Sequence, residues 1–366
     1  MRVLHVLPTR ASSYGGPNRV AEELARQLVS HGIESTLYPP AEVTPSARLM
    51  YYPGLKRSLD LFAAVRKADL VHVHGLWTVP TTAAATCARM TGKPYVVTPH
   101  GMLDRWAVRR SGTKKRIYAA VAEHRTLRRA TALHFFNQEE ADEAHEFTSV
   151  PAYFLLPNGV DLAAFENLPR RAALEAMVPD ARGRTVALFL GRIHPKKGFD
   201  VLIPAMAEIA APDLLLVVAG PDEGGYRAEV EALAAAHRVA GQVRFVGSVD
   251  GEAKRTMLGG ADFFVLPSHQ EGDSVAIKEA LASSLPVLIS DRCHFPEVAA
   301  EGAGVVVPDR VETTAEGLRE MLRAEVLGAR AAAARRLALR YDSGAIAARL
   351  ARIYNAIAAG AELPAA

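Results

Sequence analysis

The stretch FFVLPSHQEGDSVAIKEALASSLPVLIS, from Phe263 to Ser290, holds two short apolar runs separated by a polar turn and a helical segment. The runs FFVL and VLIS have the length and apolar composition of buried strands. The segment VAIKEALASS between them is rich in Ala, Ile and Leu, as a helix would be. Strand, crossover helix and strand in this order predict a parallel sheet.

The same alternation runs along the 366-residue chain. We predict strands near 2–7, 33–37, 69–73, 94–98, 131–136, 153–156, 186–190, 214–219, 243–246, 262–266, 286–290 and 304–307. Two sets of six strands predict an α/β protein with two doubly wound, Rossmann-like domains. The segment 158–171 between the sets holds no long element and is predicted to be a hinge. The pattern at 344–358 predicts an amphipathic terminal helix that needs an apolar partner.

Composition narrows the class of protein. A net charge of +3, 49% hydrophobic residues and 23% charged residues are typical of a soluble globular chain and give no support to nucleic-acid binding. The first apolar run, VLHVLP, is too short for a signal peptide or a membrane span. Cys87 and Cys293 are far apart and form no CxxC motif, which predicts reduced thiols in a cytoplasmic protein.

Polar and glycine-rich segments follow the predicted strands, where open parallel sheets bind their ligands. In the first half they are TRASSYGGPNRV, HVHGLW and TPHGMLDRW, and in the second half LGRIHPKKG, AGPDEGG, VGSVD and PSHQEGDS. Their common position, shared between two domains, predicts a cleft between facing sheet edges.

Gly15 and Gly16 precede a helical pattern that opens with Pro17 and stops before Gly32. A bare loop at a helix N-terminus exposes backbone N–H groups and can bind an anion. A tight turn would need the same glycines. The loop matches neither a GxGxxG nor a P-loop motif, which gives little support to hydride transfer or P-loop chemistry.

The turn GRIHPKKG carries three cations, Arg192, Lys196 and Lys197, directly after a predicted strand. Arginine offers forked donors to phosphate oxygens and lysine offers a point charge. A solvated basic turn is the alternative, but the position at a strand end favours a phosphate site.

Glu271 and Glu279 lie eight positions apart, one before the helical segment and one inside it. With a rise of about 1.5 Å per residue, their carboxylates are on the order of 10 Å apart. That distance is too long for one metal ion or for the pair of a retaining glycosidase, which needs about 5 Å. It suits two hydroxyl-bearing ends of one ligand, such as a sugar nucleotide, although Glu279 alone could be an ordinary exposed helix residue.

Taken together, these segments resemble the family 4 retaining glycosyltransferases, which have the GT-B fold. The likeness covers nearly the whole chain. It is carried by GGPNRVAEELARQL, TPHGML, LPNGVD, GRIHPKKG and EGDSVAIKEALASSLPVLISD, the last with the E-x7-E spacing of the family. The resemblance implies that the terminal helix returns to the N-terminal domain. The domains would then be 1–163 plus 344–366, for the acceptor, and 164–343, for the nucleotide sugar.

The resemblance also implies roles for individual residues. Arg192 and Lys197 would grip the donor diphosphate and stabilise the leaving group. Glu271 would bind hydroxyls of the donor sugar and Glu279 those of the ribose, and His100 would reach the donor sugar near the reaction centre. Catalysis is thus assigned to His100, Arg192, Lys197 and Glu271, without a metal ion or other cofactor.

Further positions are implied in donor binding: Gly15, Gly16, Val246, Gly247, Asp273, Ser274 and Val275. Gly16 would approach the phosphates, and Val246 and Gly247 would line the base pocket. Asp273 departs from the family, which commonly has an aromatic residue there. A negative charge near phosphates is unfavourable, so we expect Asp273 to turn away and cap the helix.

The implied function is transfer of a hexose from a nucleoside-diphosphate sugar to a hydroxyl of a glycan or polyprenyl-linked acceptor, with retention, in the synthesis of cell-surface polysaccharide or glycoconjugate. The alternatives are a nucleotide-sugar epimerase, a phosphorylase-like enzyme or a non-catalytic sugar-nucleotide binding protein on the same fold.

The segment 105–129 carries nine cations against one acid, Glu123, with apolar residues between them. Such a surface in an acceptor domain predicts docking of a cytoplasmic protein on the anionic inner face of a membrane. A solvated helix face is the alternative. His72, His74 and His100 could also form a metal cluster, but no fourth ligand follows at metal spacing, and we predict no metal site.

Overall fold

The computed structural model describes residues 1–9, 16–39, 54–103 and 122–364. The chain forms two compact units, Met1–Gly159 with Ser343–Ala366, and Val160–Asp342. Each unit contains one six-stranded parallel sheet. The sequence prediction of two doubly wound α/β sheets is confirmed.

The described strands lie within one residue of their predicted positions at either end. They are β1 (Arg2–Val6), β2 (Glu34–Tyr38), β3 (Leu70–His74), β4 (Tyr95–Thr98), β5 (Ala132–Phe135), β6 (Tyr153–Leu155), β7 (Thr185–Leu190), β8 (Leu214–Ala219), β9 (Val243–Gly247), β10 (Phe263–Leu266), β11 (Val287–Ser290) and β12 (Gly304–Val307). The central strands β3 and β8 are buried along their whole length, as strands covered by helices on both faces must be.

Helices occupy most of the crossovers. In chain order the described α-helices are α1 (Gly16–Leu28), α2 (Gly54–Lys67), α3 (Val79–Met90), α4 (His124–Arg128), α5 (Gln138–Phe147), α6 (Arg171–Met177), α7 (Phe199–Ile209), α8 (Tyr226–Ala236), α9 (Gly251–Gly260), α10 (Val275–Ala282), α11 (Glu297–Ala300), α12 (Val311–Met321), α13 (Ala324–Ala338) and α14 (Ser343–Ala359). No helix in these described ranges is both long and apolar enough to cross a membrane.

The strand order fixes where each sheet can hold a ligand. The first sheet has the order β2-β1-β3-β4-β5-β6, and the second has the order β12-β11-β10-β7-β8-β9. The direction of the connections therefore reverses between β1 and β3 in the first sheet and between β7 and β10 in the second. Ligands of open parallel sheets bind at the carboxyl ends of the strands beside such a switch point.

The terminal helix α14 belongs to the first unit. It packs against α1 through a buried apolar face, and Gln27 Nε2 donates to Ser343 Oγ at 3.1 Å. The chain leaves this unit at Gly159, where a Cβ atom would lie 2.6 Å from the Cα of Ser343. Only glycine allows the outgoing and returning segments to pass this closely.

The predicted helix after the glycine-rich loop is also present. Helix α1 begins at Gly16, and a short 3₁₀ turn carries it on to Gly32, whose φ of 73° ends it in the left-handed conformation. Cys87 and Cys293 are free, and burial raises the pKa of Cys293 to about 12.

Candidate functional site

Two loops meet at the switch point of the second sheet. The loop after β7 and the loop after β10 are neighbours because these strands pair directly. The backbone N–H of His269 donates to the carbonyl of Lys196 at 2.8 Å. A Cβ atom on Gly198, which has a φ of 74°, would lie 1.8 Å from the carbonyl oxygen of Pro267. Glycine at position 198 therefore lets the turn GRIHPKKG after β7, the basic turn, pack on the loop PSHQEGDS after β10, the acidic loop.

This packing joins Lys197 to Glu271. Lys197 Nζ lies 2.5 Å from Glu271 Oε1, and their side chains are only 11% and 10% exposed. Ser268 Oγ donates to the same oxygen at 2.7 Å. Burial raises the pKa of Glu271, but the charges of Lys197 and Lys196 and the two hydrogen bonds outweigh it and hold the pKa below its ordinary value. Glu271 is thus an anion with one anchored oxygen.

Further charges surround this pair. Arg192 Nη1 lies 2.5 Å from Glu223 Oε2, and both side chains are partly exposed. Burial lowers the pKa of Lys196. The positive charges of Lys197 and Arg192 also lower it, whereas the negative charges of Glu271 and Glu223 raise it. The structure therefore brings together Arg192, Lys197 and Glu271 of the predicted site. Lys196, which the sequence analysis placed in the same basic turn, lies among them, and the structure adds Glu223, which the sequence analysis did not name.

Glu279 belongs to a separate ion pair. It lies on α10, where its Oε1 accepts from Lys254 Nζ at 2.6 Å, and the two side chains are 13% and 18% exposed. The Lys254 ammonium group also lies 5.8 Å from the ring centroid of Phe165. Glu279 is therefore held in place rather than being the solvated helix residue that was the alternative.

Asp273 pairs with a buried lysine of the helix that follows it, α10. Lys278 Nζ lies 2.5 Å from both carboxylate oxygens of Asp273, and the lysine side chain is 1% exposed. Its ammonium group lies 4.7 Å from the ring centroid of Tyr341. The N-cap of α10 is Ser274, whose side chain makes no capping bond. Asp273 thus neutralises a buried lysine, and this pairing accounts for an acid where the family commonly has an aromatic residue.

The end of β9 has an irregular backbone at the predicted base pocket. The register between β8 and β9 shifts at Gly247, whose φ is 75°. Its carbonyl accepts from the N–H of Gly220 at 2.7 Å. A Cβ atom on Gly247 would meet nothing within 4 Å, so there is open space beside it. Val246 next to it is partly buried.

His269 connects the acidic loop to its surroundings. Its Nε2 lies 2.8 Å from Asp200 Oδ1, and its Nδ1 lies 3.1 Å from Asp309 Oδ2. The hydrogen bond to Asp200 and that to Asp309 together outweigh burial and raise the pKa of His269 to about 9. With both nitrogens protonated, the ring donates to two carboxylates and holds the loop two residues before Glu271.

In the first unit, His100 follows β4 in the strained left-handed conformation, with a φ of 56°. Its Nε2 lies 3.1 Å from His74 Nδ1, and burial lowers the pKa of His100 to about 3. The next residue, Gly101, donates its N–H to Glu140 Oε1 at 2.7 Å. His100 is therefore a neutral ring that is hydrogen-bonded to His74, and its backbone is anchored at Gly101, at the carboxyl edge of the sheet.

Two predictions fall partly outside the described residues. Gly15 lies outside them, as does the part of the basic segment from 105 to 121. In the described remainder, Arg125, Arg128 and Arg129 are exposed, but Glu123 is buried. Burial outweighs the hydrogen bonds from Trp77 and Thr82 and raises the pKa of Glu123 to about 7.

The sequence analysis missed the full set of buried histidines in the first unit. His5, His72 and His74 offer ring nitrogens within 4.8 Å of one another, a spacing that a metal ion could bridge. Both ring nitrogens of His72 and of His74 already form hydrogen bonds to other side chains. The geometry therefore favours a hydrogen-bonded network. The signal was available, because His72 and His74 alternate on β3, and His5 lies opposite His72 on β1.

Two family models match the chain, one to each unit. Residues 15–159 match the model described as a glycosyl transferase 4-like domain. Residues 175–337 match the model for glycosyl transferases group 1. The chain belongs to the family 4 glycosyltransferases. Its two doubly wound sheets are those of the GT-B fold.

Curated relatives of this family 4 glycosyltransferase include mannosyltransferases. The chain is 36% identical to the phosphatidyl-myo-inositol mannosyltransferase of Mycolicibacterium smegmatis over 211 residues, which are 55% of this chain and 51% of that protein. The match thus spans about half the length of that relative. The chain is 27% identical over 355 residues to the GDP-mannose:cellobiosyl-diphosphopolyprenol alpha-mannosyltransferase of Xanthomonas oryzae pv. oryzae, covering 88% of this chain and 87% of that protein.

Solved structures agree on the fold. Anabaena Alr3699/HepE, crystallised in complex with UDP-glucose, superimposes with a TM-score of 0.79 and 16% identity, covering 97% of this chain and 100% of that one. At this identity the likeness supports the GT-B fold and not a particular substrate.

Proposed function

We propose that this chain is a retaining glycosyltransferase that moves a hexose from a nucleoside-diphosphate sugar to a hydroxyl of a glycan or lipid-linked acceptor. The observation that carries the proposal is the pairing of Lys197 with Glu271 at the switch point of the second sheet. It places a cation suited to phosphate beside a carboxylate suited to sugar hydroxyls.

The hydrogen bonds of Glu271 support its role in binding sugar. Lys197 and Ser268 both donate to Oε1, whereas Oε2 has no hydrogen-bond partner within the described ranges. A carboxylate anchored through one oxygen presents the other in a defined direction. It can accept from a sugar hydroxyl without the entropy cost of ordering a mobile side chain.

The cations support diphosphate binding. Lys197 has three donors, of which one points to Glu271, and a phosphate oxygen can accept from another. Arg192 is bound to Glu223, but an ion pair exposed to this degree contributes only about 0–1 kcal/mol. A doubly charged diphosphate can displace Glu223 at small cost. The N-terminus of α10, at Ser274 and Val275, adds backbone donors and a favourable dipole.

The remaining donor contacts are proposed from the resemblance to the family. Glu279, fixed by Lys254, would bind the ribose, and the open space beside Gly247 would take the base, with Val246. His100 is proposed to reach the donor sugar, and Gly15 and Gly16 to approach its phosphates.

Catalysis would consist mainly of positioning and of electrostatic support for the leaving diphosphate. Arg192 and Lys197 stabilise the developing charge without a metal ion. The acceptor hydroxyl attacks from the face that the leaving group vacates, and a diphosphate oxygen takes its proton. No step needs a protein nucleophile.

The two mannosyltransferase relatives bear names that contain a lipid acceptor. A polyprenyl-linked or other lipid-linked acceptor is proposed for this chain as well. The enzyme would work in the cytoplasm and dock on the inner face of the membrane through the segment 105–129.

The first test is a thermal-shift panel of nucleotide sugars that includes GDP-mannose and UDP-glucose, since ligand binding raises stability by mass action. Glu271→Gln should abolish the shift given by the best donor. Glu208→Gln is the matched control, because Glu208 forms an exposed ion pair with Arg319 in the same unit, and it should leave the shift unchanged.

The second test measures the transfer reaction itself. Release of nucleoside diphosphate should require both the donor and an acceptor such as cellobiosyl-diphosphopolyprenol, should persist in EDTA, and should give a product with the anomeric configuration of the donor. Release without acceptor or a changed sugar without transfer would indicate another enzyme class. Binding with no turnover for any acceptor would indicate a binding protein, and each of these results would overturn the proposal.

A further inference from the structure

Buried hydrogen-bonded chains cross the interior of the first unit. One joins Tyr354 Oη to His72 Nδ1 (2.5 Å), His72 Nε2 to Thr98 Oγ1 (2.6 Å), Thr98 Oγ1 to His134 Nδ1 (2.9 Å), and His134 Nε2 to the carbonyl oxygen of Leu156 (2.7 Å). A carbonyl only accepts, so His134 Nε2 donates. With neutral rings, every earlier bond then points the same way, from Tyr354 towards Leu156.

A second chain leads to the predicted site. His5 Nδ1 lies 3.0 Å from His74 Nε2, and His74 Nδ1 lies 3.1 Å from His100 Nε2. Burial lowers the pKa of His5 to about 4 and that of His100 to about 3, and it also lowers the pKa of His74. Each ring is therefore neutral at pH 7 and carries one proton.

One proton per ring leaves two arrangements. Either all three rings carry the proton on Nδ1, or all three carry it on Nε2, because any other combination places two donors or two acceptors face to face. The His5 end of this series of hydrogen bonds distinguishes the two arrangements. His5 Nε2 is buried and has no hydrogen-bond partner in the described part of the chain. Among buried backbone groups, an N–H without a partner is rarer than an under-satisfied acceptor. Extended to this ring nitrogen, the same preference favours an unprotonated Nε2.

The same choice determines what His100 presents to a ligand. With Nε2 accepting from His74, the proton of His100 is on Nδ1, a nitrogen that forms no hydrogen bond within the described residues. The left-handed backbone at His100 costs about 1 kcal/mol or more. Strain of this kind persists only where the surroundings hold the residue, and the bond from His74 is one of the contacts that do so.

We propose that His5 and His74 are positioning residues that hold His100 with its proton on Nδ1, so that this N–H donates to an oxygen of the donor sugar. The series of hydrogen bonds from His5 to His100 transmits no charge. It orders the ring before the ligand arrives and excludes the tautomer in which Nδ1 would be an acceptor. The role in transfer rests on the proposed function, whereas the tautomer does not.

The wild-type protein supplies the most direct test. In a long-range ¹H–¹⁵N correlation spectrum of the protein labelled with ¹⁵N-histidine, His74 and His100 should both show the Nδ1–H tautomer at pH 7. Assignment uses His74→Asn and His100→Gln, with His31→Leu as an exposed control that should leave both signals in place. Protonation of both rings on Nε2, or a charged ring, would overturn the proposal.

A matched pair of variants tests the effect on transfer. Asn and Leu have nearly the same size, but only the amide of His74→Asn can donate to His100 in place of Nδ1–H. His74→Leu should lower kcat about tenfold with little change in KM for the acceptor, the equivalent of one neutral hydrogen bond. His74→Asn should recover most of the loss.

Equal rates for the wild type and both variants, all folded by thermal unfolding, would overturn the positioning role. Equal losses in both variants would also contradict it, since they would indicate packing rather than donation. If no donor and acceptor pair supports transfer, the proposed function fails, and the tautomer in the wild-type spectrum still supports or overturns the arrangement of His100.

Discussion

Replacement of Lys197 by alanine removes the cation at the centre of the proposed donor site. The ammonium group is 2.5 Å from Glu271 Oε1, and both side chains are almost fully buried. If Lys197 supports the leaving diphosphate, its loss should lower kcat by at least about 100-fold, or about 2.7 kcal/mol of transition-state stabilisation.

The same change should affect stability, because it leaves Glu271 as a buried charge without its nearest partner. Breaking such a pair costs about 3 kcal/mol. Lys197 is also the largest charge that lowers the pKa of Glu271, so that pKa should rise. Urea unfolding at pH 7 should show the loss, and the double variant Lys197→Ala/Glu271→Gln should recover part of the stability but none of the activity.

The assay is release of nucleoside diphosphate at saturating donor, compared with Arg319→Ala, which breaks an exposed ion pair elsewhere in the same unit. That control should keep normal turnover. Near-normal kcat in Lys197→Ala would refute the reasoning, and if Arg192→Ala behaved the same way, neither cation would belong to the donor site.

Three further predictions concern stability, each measured by urea unfolding. The pKa of His269 rises from 6.5 to about 9 on folding, so its contribution is complete below pH 6.5 and lost as the pH rises through 9. The wild type should lose about 1–2 kcal/mol over this range, and His269→Gln should lack this slope. Tyr354→Phe leaves buried His72 Nδ1 without its donor and should cost about 1–2 kcal/mol; an unchanged midpoint would argue against the bond. Lys278→Met should cost about 3 kcal/mol by removing the buried cation that lies 2.5 Å from the Asp273 carboxylate, and adding Asp273→Asn should restore most of it; no recovery would contradict the pairing.

The fold could be predicted because its signals are local. Apolar runs such as VALFLG and LLLVVA are recognisable as buried strands, and the spacing of Ile346, Leu350 and Tyr354 marks one face of a helix. Strand positions were therefore accurate, and the carboxyl ends of the strands indicated where charged residues would gather.

Partners of charged residues could not be predicted in the same way, because they depend on which loops become neighbours. Glu223 follows β8 and meets Arg192 only once β7 and β8 are paired. The sequence analysis assigned no role to Lys278, which is fully buried. Asp273 was expected to cap α10. The N-cap is Ser274, and Asp273 pairs with the side chain of Lys278.

The histidine network shows the same limit. The alternation of His72 and His74 places both on one face of β3, but no pattern in the sequence indicates that Tyr354, near the end of the chain, donates to His72. Tertiary packing supplied that donor.

The central claim is that Lys197 and Arg192 bind the diphosphate of an activated sugar while Glu271 binds its hydroxyls. A crystal structure of the protein with its best nucleotide-sugar donor tests this most directly. We expect diphosphate oxygens within about 3 Å of Lys197 Nζ and of the Arg192 guanidinium, and a sugar hydroxyl at the same distance from Glu271 Oε2. A donor bound away from these three side chains would contradict the account.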